Sequence, residues 1–123
     1  MTATVFRLVT AATTNLTKVR DGPATVKGII AVNTAAYAIF VKLYWYTPTS
    51  TNPTPTVGTT APNVTIELPA LGTTTGGVMQ SFTEGFNGGN GQLWMAVTKL
   101  ATEADATVVV AGDGLISLLV DPC

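Results

Sequence analysis

The sequence predicts an all-β protein, a single-domain antiparallel β-sandwich of about eight strands. Three observations carry that prediction. Roughly a fifth of the chain is threonine, whose branched Cβ suits a pleated surface. Runs of alternating apolar and polar residues recur along the chain, the period that turns one face of a strand toward a core. Between these runs stand turn-forming clusters, with 12 Gly and 7 Pro in 123 residues, giving strands every ten residues or so, as sandwiches require. A chain of this length makes one domain. Residues 17–123 form the sandwich, and residues 1–16 an N-terminal strand or arm.

In chain order, Thr2 to Thr10 reads as a first strand, or as an arm that adds to a neighbouring subunit. Leu16 to Val19 is a short strand, closed by the turn Asp21-Gly22-Pro23. The stretch Thr25 to Tyr46 reads as a hairpin with its turn at Asn33 to Ala36. Its first strand places Val26, Ile30 and Val32 inward, and its second places Tyr37, Ile39, Val41, Leu43 and Trp45 inward. Phe40, Lys42, Tyr44 and Tyr46 share the opposite face of that second strand. An outer face so rich in aromatics implies either a second layer or a subunit interface, and the interface is the reading taken.

Thr47 to Asn63 holds Pro48, Pro53, Pro55 and Pro62, so it cannot be a central strand and is expected to be an exposed, stiff loop. Val64 to Leu68 alternates cleanly, and Val78 to Phe86 reads as a half-covered or edge strand. Leu93, Met95 and Val97 share one face of the next strand, with Trp94, Ala96 and Thr98 on the other. Leu100 to Asp105 is a loop or short helical turn, and Ala106 to Ala111 reads as a strand. Leu115 to Val120 is apolar on both faces, like a strand in the middle of a sheet.

Charged residues make up only 11% of the chain, against about a quarter in an ordinary soluble domain. Such a surface suits a protein covered in an assembly, the alternative being a monomer kept soluble by Thr, Asn and Ser. Six basic residues, scattered singly, cannot replace counterions along a phosphate backbone, so no nucleic-acid partner is expected. No apolar run approaches the length of about 20 residues needed to span a bilayer, so no membrane partner is expected. Residues 1–16 lack the pattern of a secretory signal. A single cysteine, Cys123, offers no internal disulfide.

The chain has no histidine, which removes the commonest general base and metal ligand. No enzyme activity and no cofactor are expected. Glu67 and Glu84 fall on adjacent predicted strands and could approach as a carboxylate pair, but two solvated strand residues is the simpler reading. Glu103, Asp105 and Asp113 lack the dense spacing of a calcium loop. Gly85 to Gly91 reads as a hairpin loop rather than a phosphate cradle, because neither a lysine nor a helix follows.

Four segments carry a resemblance: Ala24 to Asn33, Ala38 to Tyr44 with its Lys-Leu-Tyr, the Pro55-Thr-Val-Gly-Thr-Thr-Ala-Pro62 loop, and Ile66 to Ala70 with its Ile-Glu-Leu-Pro. Together with the closing strand Leu115 to Val120, they resemble a group of small virion proteins of tailed bacteriophages, over about Thr17 to Asp121. That resemblance implies a jelly-roll-like β-sandwich acting as a capsid decoration, or cement, protein. It further implies a homotrimer that clamps the phage major capsid protein on the outer surface of the virion, after synthesis in the host bacterial cytoplasm. The alternative is a tail, baseplate or fibre protein that binds host glycans, with Trp94 or Tyr44 as stacking residues. The expected subunit interface is Phe40, Tyr44 and Tyr46. The expected capsid contacts are Val5 and Phe6 of the arm and Pro48, Pro53 and Pro55 of the loop.

Overall fold

The computed structural model describes residues 4–22, 24–45, 54–71, 92–102 and 104–121, and the backbone course of residues 77–87. Among the described residues there are eight strands: β1 (Thr4–Val9), β2 (Thr17–Asp21), β3 (Thr25–Asn33), β4 (Ile39–Trp45), β5 (Val64–Leu68), β6 (Gly77–Asn87), β7 (Gln92–Thr98) and β8 (Gly114–Asp121). They form two four-stranded antiparallel sheets, ordered β1-β8-β3-β6 and β2-β7-β4-β5.

The pairings β1 with β8, β2 with β7, β3 with β6 and β4 with β5 are nested, like the rungs of one long hairpin. That hairpin is rolled until β8 also meets β3 and β7 also meets β4. This is jelly-roll topology, two sheets closed face to face around a single core. The core holds Val26, Ile29, Ile39, Val41, Leu43, Leu68, Leu93, Met95, Val97, Ile116 and Leu118. Burying each such side chain fully contributes on the order of 2 kcal/mol. Tyr37 and Trp45 pack against this core, on the inward face expected of them.

The architecture and most strand positions agree with the sequence, but the Thr25 to Tyr46 stretch is not a hairpin. β3 lies in one sheet and β4 in the other, so the chain crosses the sandwich between them. A tight two-residue hairpin turn needs positive φ, and none of Asn33 to Ala36 has it. The fully buried Asn33 side chain directs the crossing instead. Its Nδ2 donates to the carbonyls of Tyr37 (2.7 Å), Leu68 (3.2 Å) and Pro69 (3.2 Å), and its Oδ1 accepts from Ala35 N–H (2.9 Å). One amide thereby links the end of β3 to the end of β5 in the opposite sheet.

A second correction lies within β3. Val26 pairs with Val120 and Gly28 with Leu119, so two steps along β3 match one step along β8. This bulge inverts the alternation. Ile29 and Ala31 join Val26 in the core, while Ile30 and Val32 turn to the outside. A third correction concerns Ala106 to Ala111, which belongs to neither sheet; of these residues only Val109 enters the core. Lastly, β1 is an edge strand of the chain's own sheet, with Phe6 and Leu8 packed against the core.

Candidate functional site

The two outer faces of the sandwich differ among the described residues. On β4, the residues that point away from the core are Phe40, Lys42 and Tyr44, yet Lys42 and Tyr44 are buried. The chain's own loops cover them. Lys42 Nζ donates to the carbonyls of Thr102 (2.8 Å) and Asp105 (3.1 Å), holding the loop after β7 against the sheet. The Thr54 to Asn63 segment lies over that loop in turn, for a Cβ at Gly58 would sit 3.2 Å from Ala106 Cβ, and Gly58 has φ of +94°. Only glycine meets both demands without strain. Asn63 closes the segment, its N–H bonding Leu43 O (2.8 Å) and its Oδ1 accepting Trp45 N–H (3.0 Å).

Of the two explanations for an apolar outer face on β4, the structure therefore supplies the second layer. Tyr44 is 1% exposed in the single chain and is not available to another subunit. Phe40 is half-buried, and Tyr46 lies outside the described residues. Pro55 is buried within the fold rather than offered to a capsid, while Pro48 and Pro53 lie outside the described residues. Phe6 faces the core more than the outside.

Asp105 is the anchor of this layer. It is buried and accepts from Leu100 N–H (2.9 Å), Thr107 N–H (3.1 Å) and Thr107 Oγ1 (2.5 Å). Burial alone would raise its pKa, but the Thr107 hydroxyl, the two N–H donors and the Lys42 ammonium together hold it below the usual carboxylate range. A depressed carboxylate pKa stabilises the fold fully above that range and progressively less as pH falls below it. The stability difference between the wild type and Asp105→Asn should therefore stay constant from pH 8 down to about 5, then shrink toward pH 2. Urea midpoints measured across that range check this; a difference that does not change with pH would contradict it.

The other outer face has no such cover among the described residues. Phe6 and Leu8 point inward on β1, leaving Val5, Arg7 and Val9 outside. On β8, Leu115, Ser117 and Leu119 alternate with the buried Ile116, Leu118 and Val120. Directly paired residues of antiparallel strands share a face, so the register sets three rows across the sheet. These are Val9, Leu115 and Val32; then Arg7, Ser117 and Ile30; then Val5, Leu119 and Gly28. Val5 is 65% exposed, and Val9, Ile30 and Val32 are 48%, 48% and 44% exposed. The result is a largely aliphatic patch, interrupted by Arg7 and Ser117, about 10 Å across three strands and about 14 Å along them.

Of the expected contacts among the described residues, only Val5 lies on this patch in the open. Sequence reasoning missed Ile30 and Val32 because the bulge exchanged the two faces of β3. The available signal was Gly28, a glycine inside a strand pattern, which commonly marks a bulge.

The other candidates have structural partners. Glu67 on β5 and the backbone of Glu84 on β6 belong to different sheets, so the strands do not bring them together as neighbours. Asp113 accepts from Tyr37 OH (2.7 Å), which also accepts from Val110 N–H (3.0 Å). Burial chiefly, and Asp113 with it, raises the Tyr37 pKa against the opposing Val110 N–H, keeping the phenol protonated. Lys99 Nζ lies 4.3 Å from the centre of the Tyr37 ring. Trp94 is half-buried, with Lys18 Nζ 5.8 Å from its ring centre and its indole N–H bonded to Gln92 Oε1 (3.0 Å). Glu103 lies outside the described residues, among which there is neither a cavity nor a group of three metal-ligating side chains.

No protein-family model, curated protein or solved structure matches the chain.

Proposed function

We propose that the chain is a structural protein of a tailed-phage particle, a capsid decoration protein that seats its β1-β8-β3-β6 face on the outer surface of the shell. The observation that carries this reading is the contrast between the two outer faces, one covered by the chain's own loops and the other, among the described residues, uncovered and largely aliphatic. Exposed aliphatic side chains gathered on one sheet face support a protein-binding surface there. The segments resembling small phage virion proteins support the choice of partner, and jelly rolls recur in viral capsid domains, a fold-level analogy only. Binding that favours the assembled shell stabilises it by linkage. The proposed partners are the major capsid protein and further copies of this chain, arranged as a trimer on the virion surface.

The glycan-binding alternative gains no support from this face. Its described apolar residues are Val, Ile and Leu, which offer no aromatic platform for a sugar ring.

A titration of the purified chain against DNA-free shells of the encoding phage tests the proposal. Wild type is expected to bind saturably. Ile30→Asp places a charge at the centre of the patch without entering the core, and is expected to weaken binding about a hundredfold while melting within a few degrees of wild type. Unchanged affinity in Ile30→Asp would remove this face from the account.

A further inference from the structure

Arg7 is the one charged side chain in the three rows of the open face, and its position specifies the partner's chemistry. It stands on β1 between Val5 and Val9, across from Ser117 and in the same row as Ile30. It is exposed and makes no ion pair or side-chain hydrogen bond among the described residues. The nearest described acid on this face by register is Asp121, opposite Thr25, four residues along β8 from Ser117 and so about 13 Å away along the strand. A partner that covers the aliphatic rows must also take the Arg7 guanidinium out of water. That burial is unfavourable unless a carboxylate meets the charge, and a guanidinium fork suits two parallel bonds to one carboxylate.

We infer that the open face binds a protein surface that is apolar and bears an Asp or Glu side chain placed to pair with Arg7. Arg7 then acts as the contact that fixes orientation and rejects surfaces without the acid, while Val5, Val9, Ile30, Val32, Leu115 and Leu119 supply the contact area. This inference rests on the decoration reading and names the chemistry of its partner. A second copy packed face to face offers, among the described residues, no acid in these three rows, its Asp121 lying farther along β8. An anionic membrane is a poorer match, since headgroup binding draws on clusters of basic residues rather than one.

The sign of one substitution separates these occupants. Arg7→Leu makes the patch wholly aliphatic. If a carboxylate waits opposite, this variant leaves it buried and unpaired, and affinity for DNA-free shells should fall on the order of thirtyfold. Arg7→Lys should fall less, and Arg7→Glu should abolish binding. All three should melt as wild type does, because Arg7 lies outside the core. Arg7→Leu binding the shells as tightly as wild type, while Ile30→Asp binds weakly, overturns the carboxylate partner but leaves the decoration reading intact. Arg7→Leu that associates with itself more strongly in sedimentation, without losing shell affinity, identifies a second copy as the occupant and overturns the inference. Failure of wild type to bind shells overturns both.

Discussion

Replacing Lys42 with methionine is expected to destabilise the protein by about 4 kcal/mol. Its stem lies on the outer face of a central strand, and its ammonium is fully buried under the loop that follows β7. Methionine keeps most of the apolar volume but removes the charge and its donors. The Thr102 and Asp105 carbonyls then lose the Lys42 donor, and the Asp105 carboxylate loses its nearby cation. For a domain of this size the melting temperature should fall by roughly 15 °C. The two groups act as a unit, so Lys42→Met combined with Asp105→Leu should cost less than the sum of the single changes, by about 1–3 kcal/mol. Additive costs, or a Lys42→Met variant as stable as wild type, would show that the loop layer is held in some other way. Loss of the clasp should also free the Thr54 to Asn63 segment, which protease cleavage there would report.

Asn33→Ala is expected to cost about 3 kcal/mol. The Asn33 side chain is completely buried, donates to three carbonyls and accepts from one N–H. Alanine removes all four bonds, and buried peptide groups at the ends of β3 and β5 lose partners that water cannot easily replace. Asn33→Asp should be nearly as harmful. It retains the acceptor for Ala35 N–H but turns a donor toward three carbonyls into a negative charge. Denaturant titration of both variants measures the effect. A loss below about 1 kcal/mol for Asn33→Ala would mean that the crossing between sheets does not depend on this amide.

Most strands were legible as short runs set off by glycine, proline or asparagine, alternating at β5 and apolar on both faces at β8. Their pairing was less so. Asn33 to Ala36 looks like a hairpin turn from its neighbours alone, yet its path is set by carbonyls at Leu68 and Pro69, more than thirty residues away. The faces of β3 were misread because one extra residue near Gly28 inverts every side chain beyond it. That inversion carried the candidate site with it, from the Phe40 and Tyr44 face of β4 to the Ile30 and Val32 face of β3. The cover over β4 was illegible for a related reason. Lys42 and Asp105 are 63 residues apart, and no local pattern announces that one will hold the other's loop. Low charge and two-faced apolar strands do not say which of the two sheets the chain's own loops cover.

The claim on which the functional account depends is that the chain meets the shell through the β1-β8-β3-β6 sheet. A reconstruction of the decorated particle, at a resolution that separates strands, tests it directly. The account predicts Val5, Val9, Ile30, Val32, Leu115 and Leu119 against the capsid surface, a capsid carboxylate at Arg7, and the loops over β4 turned away. Density that places the β2-β7-β4-β5 side on the shell, or leaves the aliphatic face open to solvent, would contradict it.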